Sequence, residues 1–528
     1  MGEGRTHPSG LRRIAQVLGL AVVAVIGVFT VEPTAHHDDA AQYWTMAGRL
    51  ARTDDPFYVA AVDHKGPLWV GAYRLAWAIT GEQAWFWFLM AAQVVLFAIV
   101  TAAGIRWLLQ MMGAPARVAD ASAALLGLYL VFGPEGYSNL LYGRNITTAL
   151  TAIGVGLAWR SAHPDDKRPE RSALSSGATA LCGGVAFGLA TQTVFTTALP
   201  LALVTLALVV LARGRRRIVL GGWIFGLGAA LASVVIWYGA KGAAPELRTW
   251  LWDYNMAYGS NDAPLLDRTG RAVREVGVHL ITRPFLLIAP AAIAALVRVS
   301  TAQRRAIAFA GVWWFGELAA VAAPDRWFDH YWILLAPPTA CLGGLAASAL
   351  VSNAGVGRGL RVATFGLAAV VGLYALPGVA VGASATVGFT GVDEHQVDRE
   401  RAQPDEVAEL RHVVAQHSQP DDPILVWASA AGPYVAVNRP AASRFDRRTW
   451  LTGEIFGSDQ VAIVPGAWDA LMDDLNASPP VLIVEYRRVP IAPDTPLHAL
   501  MDRDYELIAE TSLAHVHVRV DRRPEDTG

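Results

Sequence analysis

Residues 11–31 read LRRIAQVLGLAVVAVIGVFTV, and His36-His37-Asp38-Asp39 follow after a four-residue spacer. A run of about 20 apolar residues is long enough to cross a bilayer. The stretch therefore reads as a first membrane helix that brings two carboxylates to the membrane surface. Carboxylates are costly beside hydrocarbon, so an acidic pair at a helix exit reads as a functional site. The plainer alternative is that the acids only mark where the helix leaves the bilayer. The run has no clear small-residue cleavage site, so it is expected to be retained and not removed as a signal peptide.

The rest of the chain extends this pattern. Of 528 residues, 53% are hydrophobic and only 17% charged, and the mean hydropathy is +0.34. Soluble domains carry nearer a quarter charged residues. Further apolar runs fall at 84–110, 118–133, 139–159, 176–190, 192–212, 218–238, 279–297, 305–322, 330–351 and 361–382. The chain is thus expected to be a polytopic α-helical membrane protein, with about eleven helices in residues 1–382. Its net charge of −2 offers no basic field for a nucleic acid. Cys182 and Cys341 lie in apolar runs, where they suit packing better than a disulfide framework.

Charge asymmetry orients the runs. Arg12-Arg13, Lys167-Arg168 with Arg171, Arg213 with Arg215–Arg217, Arg304-Arg305 and Arg358 with Arg361 fall on one side if the eleven runs alternate. By the positive-inside rule that side is the cytoplasm, which also holds the N-terminus. Residues 67–80, apolar but short and holding Arg74, read either as a span or as an interfacial helix; a full crossing would break the alternation, which favours an interfacial helix within a first outer loop, 32–83. The loop 239–278, the turns near 137–145 and 324–330, and the chain from 383 then share the outer face. A composition rich in Ala, Gly, Val and Arg is associated with GC-rich bacteria, so the expected location is a bacterial plasma membrane.

From 383 the composition turns polar, and 383–403 reads as a linker. Strand-like runs at Pro423–Trp427 and Val481–Val484, with helical patterns near 404–417 and 466–476, suggest a small extracytoplasmic α/β domain over 404–522.

Two polar constellations stand on the outer face. In the first loop, Tyr43, Met46, Ala47 and Leu50 recur at helical spacing behind Asp38-Asp39, which suits an amphipathic helix on the membrane surface. One acid suffices to cap that helix, leaving the other free. Asp63-His64-Lys65-Gly66-Pro67-Leu68 follows, and later comes Asp325-Arg326-Trp327-Phe328-Asp329-His330-Tyr331. Lys65 has a plain alternative in interfacial snorkelling, and Arg326 in a surface pair with Asp325 or Asp329. Trp250 and Trp252 suit the membrane interface. His36, His37, His64 and His330, with Asp38, Asp39 and Asp63, are also ligand types for Zn²⁺ or Mn²⁺. A divalent metal ion therefore stays open, with His36, His37 and His64 as candidates, although no HExxH spacing is present.

Together these elements resemble the membrane glycosyltransferases of the GT-C class, near the protein mannosyltransferase and aminoarabinose transferase group (glycosyltransferase family 39) and the RgtA-like proteins. Asp39–Tyr43 matches the Asp-x-x-x-Tyr element. Ala40 follows Asp39 where the family usually has Glu, and Asp38 precedes it. Asp63-x-Lys65-Gly66-Pro67-Leu68 matches the second element, and Arg326 to His330-Tyr331, followed by Pro337-Pro338, resembles a late element. Arg144-Asn145 departs from an Asp often found before that helix. The resemblance implies a sugar moved from a polyprenyl-phosphate donor to an envelope glycan or lipid acceptor by base-assisted direct displacement. It implies Asp39 as base with Asp38 assisting or substituting, and Lys65 with Arg326 on the donor phosphate. Tyr43, Asp63, His64, Asn145, His330 and Tyr331 would line the substrates. No phosphate-cradling Gly-rich loop is found, consistent with a lipid-linked donor. A flippase or transporter of lipid-linked sugars, with Glu317 as its buried acid, and a non-catalytic envelope assembly protein are the alternatives.

Overall fold

The computed structural model describes residues 26–28, 38–81, 83–132, 144–163, 169–259, 264–294, 300–352, 404–454 and 461–522. Most of the first apolar run, His36 and His37, the run at 361–382 and the linker 383–403 lie outside the described residues.

Uncharged length makes the long helices. α1 (Asp38–Arg52), α2 (Pro67–Thr80), α3 (Gln83–Met111), α4 (Ala116–Phe132), α5 (Arg144–Ala162), α6 (Pro169–Thr191), α7 (Ala198–Leu211) and α8 (Arg216–Ala240) come first. α9 (Leu265–Thr282), α10 (Ile288–Ala294), α11 (Thr301–Ala322) and α12 (Ala336–Ser352) complete the bundle. Among the described residues, five helices are long and apolar enough to cross a membrane, or six if one bent pair counts as a single span. α2, with 14 residues, is about 21 Å long at 1.5 Å per residue, shorter than a hydrocarbon core of about 30 Å.

The apolar run over 279–297 falls on a bent pair of helices, a broken span. Its helices meet at 108°, where Pro284 follows Arg283. Proline removes an N–H donor and disfavours helical geometry in the residue before it. Upstream of the break the chain is helical back to Leu265, within what reads as a loop in the sequence.

Small residues set the spacing in the bundle. Gly184 lies against the Trp223 carbonyl, and Gly226 against the Leu181 carbonyl, so neither position has room for a Cβ. α6 and α8 thereby pack backbone to backbone, as membrane helices do where apolar burial gives no preference for protein over lipid.

The C-terminal part builds a four-stranded sheet in the order β1-β2-β4-β3: β1 (Ile424–Trp427), β2 (Leu482–Tyr486), β3 (Tyr505–Glu510) and β4 (Ala514–Arg519). β1 and β2 are parallel, while β4 runs antiparallel to both β2 and β3. Helices α13 (Pro404–His417), α14 (Ala467–Ala477) and α15 (Pro496–Asp504) complete the α/β unit.

This unit rests on α1, which corrects one expectation. α1 is not a surface helix with a wet face, because residues 40–48 are buried throughout. Its polar side is covered from the C-terminal unit, where Arg49 donates to the carbonyls of Ala441 (3.2 Å) and Ala442 (2.8 Å) and lies 3.5 Å from Asp474. Arg444 donates to both oxygens of the same Asp474 carboxylate, so two guanidiniums share one buried acid.

Candidate active site

The first loop is held by its own backbone. Gly66 lies against the Gln192 carbonyl so closely that a Cβ would collide with it. The Gly66 and Leu68 amides donate to Thr193 and Gln192, each at 3.3 Å. Pro67 then opens α2, a position where its missing N–H costs nothing. Tyr58 sits at φ 72, and its hydroxyl donates to the Lys65 carbonyl at 2.6 Å. A bulky residue in that region of φ is strained. Such strain gathers where surrounding contacts over-determine the backbone.

Lys65 is fixed by this scaffold. Its ammonium donates to the Tyr43 hydroxyl and lies 4.8 Å from the Tyr43 ring centre and 5.7 Å from that of Trp69. The lysine is half-buried and aromatic-lined, which separates it from a freely snorkelling side chain. Asp63 is 1% exposed. Its Oδ1 accepts from the His64 amide at 2.6 Å and lies 3.0 Å from His64 Nδ1. Burial pushes its carboxyl up, but Lys65, His64 and Arg447 outweigh this and hold it well below the usual carboxylate range.

His64 joins this loop to the segment 249–259. Its ring stacks on Tyr258 at 4.9 Å and 23°, and its carbonyl accepts from the Asn255 side chain at 2.6 Å. Arg326 reaches the same place, donating to the Tyr258 carbonyl at 3.2 Å with its guanidinium 5.0 Å from the Tyr258 ring. It is presented by a turn whose flanking residues, Asp325 (φ 52) and Trp327 (φ 48), are both left-handed. The Trp327 indole donates to Asp325 at 2.8 Å, and Arg271 lies 3.5 Å from the same carboxylate. Tyr331 hydrogen-bonds Tyr258, and the Arg144 guanidinium lies 3.8 Å from the Tyr331 ring. His330 stacks on Phe328 at 5.6 Å and 7°. Asn145 is 1% exposed in the first turn of α5.

The structure thus brings Tyr43, Asp63, His64 and Lys65 together with Arg326, Tyr331 and the Arg144-Asn145 turn at one end of the bundle. Asp38 and Asp39 are the first two residues of α1, one turn ahead of Tyr43. No group of three or more His, Cys, Asp or Glu suited to a metal forms among the described residues. His64 faces Asp63 and two tyrosines there, while His36 and His37 lie outside them.

Several residues of this rim had no local signal. Arg447 donates to the Gln42 side chain across 405 positions. Trp450 meets Tyr254 edge-on at 5.4 Å and lies 6.1 Å from the His64 ring. Trp250, expected at the membrane interface, is 5% exposed and packs against Trp450 and Phe445. Trp252, at 54%, is exposed.

Beside the loop, a groove of about 380 Å³ runs between the start of α2 and α8. Leu50, Phe57, Pro67, Leu68, Trp237 and Tyr238 give it a mostly apolar lining, to which Arg74, Gln192 and Ser233 add polar groups.

No protein-family model and no curated protein matches the chain. Solved structures do. ArnT (aminoarabinose transferase) from Cupriavidus metallidurans, solved with undecaprenyl phosphate, is 17% identical with a TM-score of 0.58, over 96% of this chain and 98% of that one. The same protein in its apo state gives a TM-score of 0.56 at 17% identity, with the same coverage. The oligosaccharyltransferase of Archaeoglobus fulgidus gives 0.47 at 11% identity, over 89% of this chain and 69% of that one. The likeness to ArnT is one of fold, and the chain is a multi-pass membrane protein of the GT-C fold with a small C-terminal α/β unit.

Proposed function

We propose that this protein is a membrane glycosyltransferase. It takes a sugar from a polyprenyl-phosphate donor and passes it to an envelope glycan or lipid acceptor on the extracytoplasmic face of a bacterial plasma membrane. The observation that carries the reading is Lys65, a cation pinned by two tyrosines two residues before Pro67, which lines a mostly apolar groove. An isoprenoid chain suits the groove, and its phosphate then meets Lys65. Undecaprenyl phosphate in the ArnT structure supports a donor of this kind.

In this reading Asp39 accepts the proton of the acceptor hydroxyl as that oxygen attacks the anomeric carbon. The bond from the anomeric carbon to the phosphate oxygen breaks, and its electron pair leaves with the phosphate. Lys65 and Arg326 stabilise the charge that gathers there. Asp63, held ionised, balances Lys65 and orients His64. Asp38 stands next to Asp39 as the alternative base.

The test uses purified full-length protein. Undecaprenyl phosphate binding should weaken about a hundredfold in Lys65→Met, since an ammonium–phosphate contact is charge-assisted. Asp39→Asn should keep that binding and lose sugar transfer, followed as loss of the matching glycan in envelope mass profiles of a complemented deletion strain. Wild-type protein that does not bind undecaprenyl phosphate would end the reading. Unchanged envelope glycans in Asp39→Asn would remove Asp39 from the role. The competing reading, transport of a lipid-linked sugar, draws its support from Glu317, a fully buried carboxyl in α11.

A further inference from the structure

The C-terminal unit sends one segment, Phe445–Trp450, onto the rim of the membrane bundle. Arg447 and Trp450 reach groups of the bundle described above, and Asp446 holds both of them. Arg447 donates to Gln42, the neighbour of Tyr43 on α1, and Tyr43 is the partner of Lys65. The Arg447 charge also acts on Asp63. Asp446 is 2% exposed, with Oδ1 accepting from the Trp450 indole at 3.1 Å and lying 3.7 Å from Arg447. Trp450 closes over Tyr254 and His64.

Polar atoms at this seam are left unmatched. Gln42 Nε2, Asp63 Oδ2 and Asp446 Oδ2 are buried with no hydrogen-bond partner among the described residues. Their side chains are 2%, 1% and 2% exposed. Buried polar atoms are matched as a rule, and an unmatched cluster is expected where a ligand or water completes the network. The neighbouring Arg49–Asp474–Arg444 clamp, by contrast, is matched.

We propose that Arg447 is a positioning residue of the lipid-phosphate site. Supplied by the C-terminal unit, it holds α1 through Gln42 and sets the charge around Asp63 and Lys65, so the membrane bundle binds its donor fully only with that unit docked. The inference rests on the donor reading above and extends it to a second structural unit. The clamp fixes how it works. Asp474 anchors Arg49 of α1 and Arg444 at once, and Arg444 is three residues before Arg447, so the carboxylate that docks the unit also aims the guanidinium.

The experiment compares full-length wild type with Arg447→Met, which keeps length and removes charge, and Arg447→Lys, which keeps charge. Two quantities are read: affinity for undecaprenyl phosphate, and amide hydrogen exchange of residues 60–66. Arg447→Met should bind about tenfold more weakly, the order expected for one charge-assisted contact, and should exchange faster over 60–66. Arg447→Lys should recover both to within about threefold. Arg447→Met with wild-type affinity and wild-type exchange over 60–66 overturns the proposal. Equal losses in Met and Lys, with faster exchange throughout 404–522, also overturn it, because they mark a packing role. If wild-type protein binds no undecaprenyl phosphate, the donor reading falls. The exchange of 60–66 then decides alone whether Arg447 positions the loop.

Discussion

The α6–α8 seam and the seam between α1 and the C-terminal unit solve opposite problems. The first lies inside the bundle and is built from absence: Gly184 and Gly226 remove side chains so that backbones touch. The second lies at the bundle end and is built from charge: one carboxylate, Asp474, takes two guanidiniums, and a third, Arg447, reaches across to Gln42. In lipid, close packing is what distinguishes one helix partner from another. At the wet end, directional polar groups can specify both docking and chemistry, at the risk of unmatched atoms. The rigid seam holds the frame, and the polar seam holds the groups to which the proposal assigns the chemistry.

Removing the shared acid should give the largest effect. Asp474→Asn leaves two guanidiniums without their carboxylate, with side-chain exposures of 17% and 22%. Breaking a buried pair costs about 3–5 kcal/mol, and the partial exposure of both arginines argues for the lower end. The outcome would be a C-terminal unit that undocks before the bundle melts, seen as a new low-temperature transition and as protease cleavage near 441–448. A single unshifted transition would show that the polar seam is not what docks the unit.

The glycine seam should respond next. Gly226→Ala drives a Cβ into the Leu181 carbonyl, and overpacking of this kind costs about 1–3 kcal/mol. The loss should appear in the melting temperature of the whole bundle, with the docked unit released only as the bundle goes. Equal effects from the two variants would erase the distinction between the seams.

The two seams also differ in how openly the sequence announces them. Apolar runs such as 84–110 and 218–238 lie on α3 and α8, because spanning length is a local property of composition. The run at 279–297 is legible as apolar length, but its composition does not show the bend at Arg283-Pro284. Asp63–Leu68 was legible as a candidate because its residues are contiguous. The pattern of α1 showed an apolar face at Tyr43, Met46, Ala47 and Leu50, but no pattern says what covers the opposite face. Gln42 and Arg447 illustrate the limit, since a contact over 405 positions leaves no periodic trace. β4 carries a period-two signal, with Ala514, Val516 and Val518 alternating with His515, His517 and Arg519, that the strand-like runs named from the sequence do not include.

The polar seam should be pH-sensitive where the glycine seam is not. Burial pushes the Asp446 carboxyl up to about 7, against the opposing effects of Arg447 and the Trp450 hydrogen bond and with a further rise from Asp63. Its folded form therefore holds a proton that the unfolded form gives up near pH 4. Stability from this group is present below about pH 4 and falls as pH rises through about 7. Asp63 has the opposite sign: its contribution is present above the usual carboxylate range and is lost in strong acid. Asp446→Asn should then gain on the order of 1 kcal/mol over wild type at pH 8, and little or nothing at pH 4. Exchange of residues 443–452 at the two pH values measures it. A variant that gains equally at both would mean that loss of the Asp446 proton is not what weakens the seam at high pH.

The smallest effect is expected where polar chemistry sits inside the apolar frame. Glu317 is fully buried in α11, and its Oε1 accepts from the indole of Trp313 on the same helix at 2.9 Å. Its Oε2 has no hydrogen-bond partner among the described residues. An ionisable group at this depth marks a transport path by default. It stands about two helical turns before the Asp325–Trp327 turn, and none of the rim contacts described above reaches it. Glu317→Gln keeps the shape and the indole bond. If the work is glycosyl transfer at the rim, melting should move by no more than about 1 kcal/mol, because the variant keeps the Trp313 hydrogen bond and exchanges one unmatched buried polar atom for another. Undecaprenyl phosphate affinity should stay where it was. If the protein instead carries lipid-linked sugars through the bundle, the same variant should stop their movement across liposome membranes while leaving binding at Lys65 intact. That result would transfer the functional weight from the polar seam to the interior and reverse the roles assigned to the two regions.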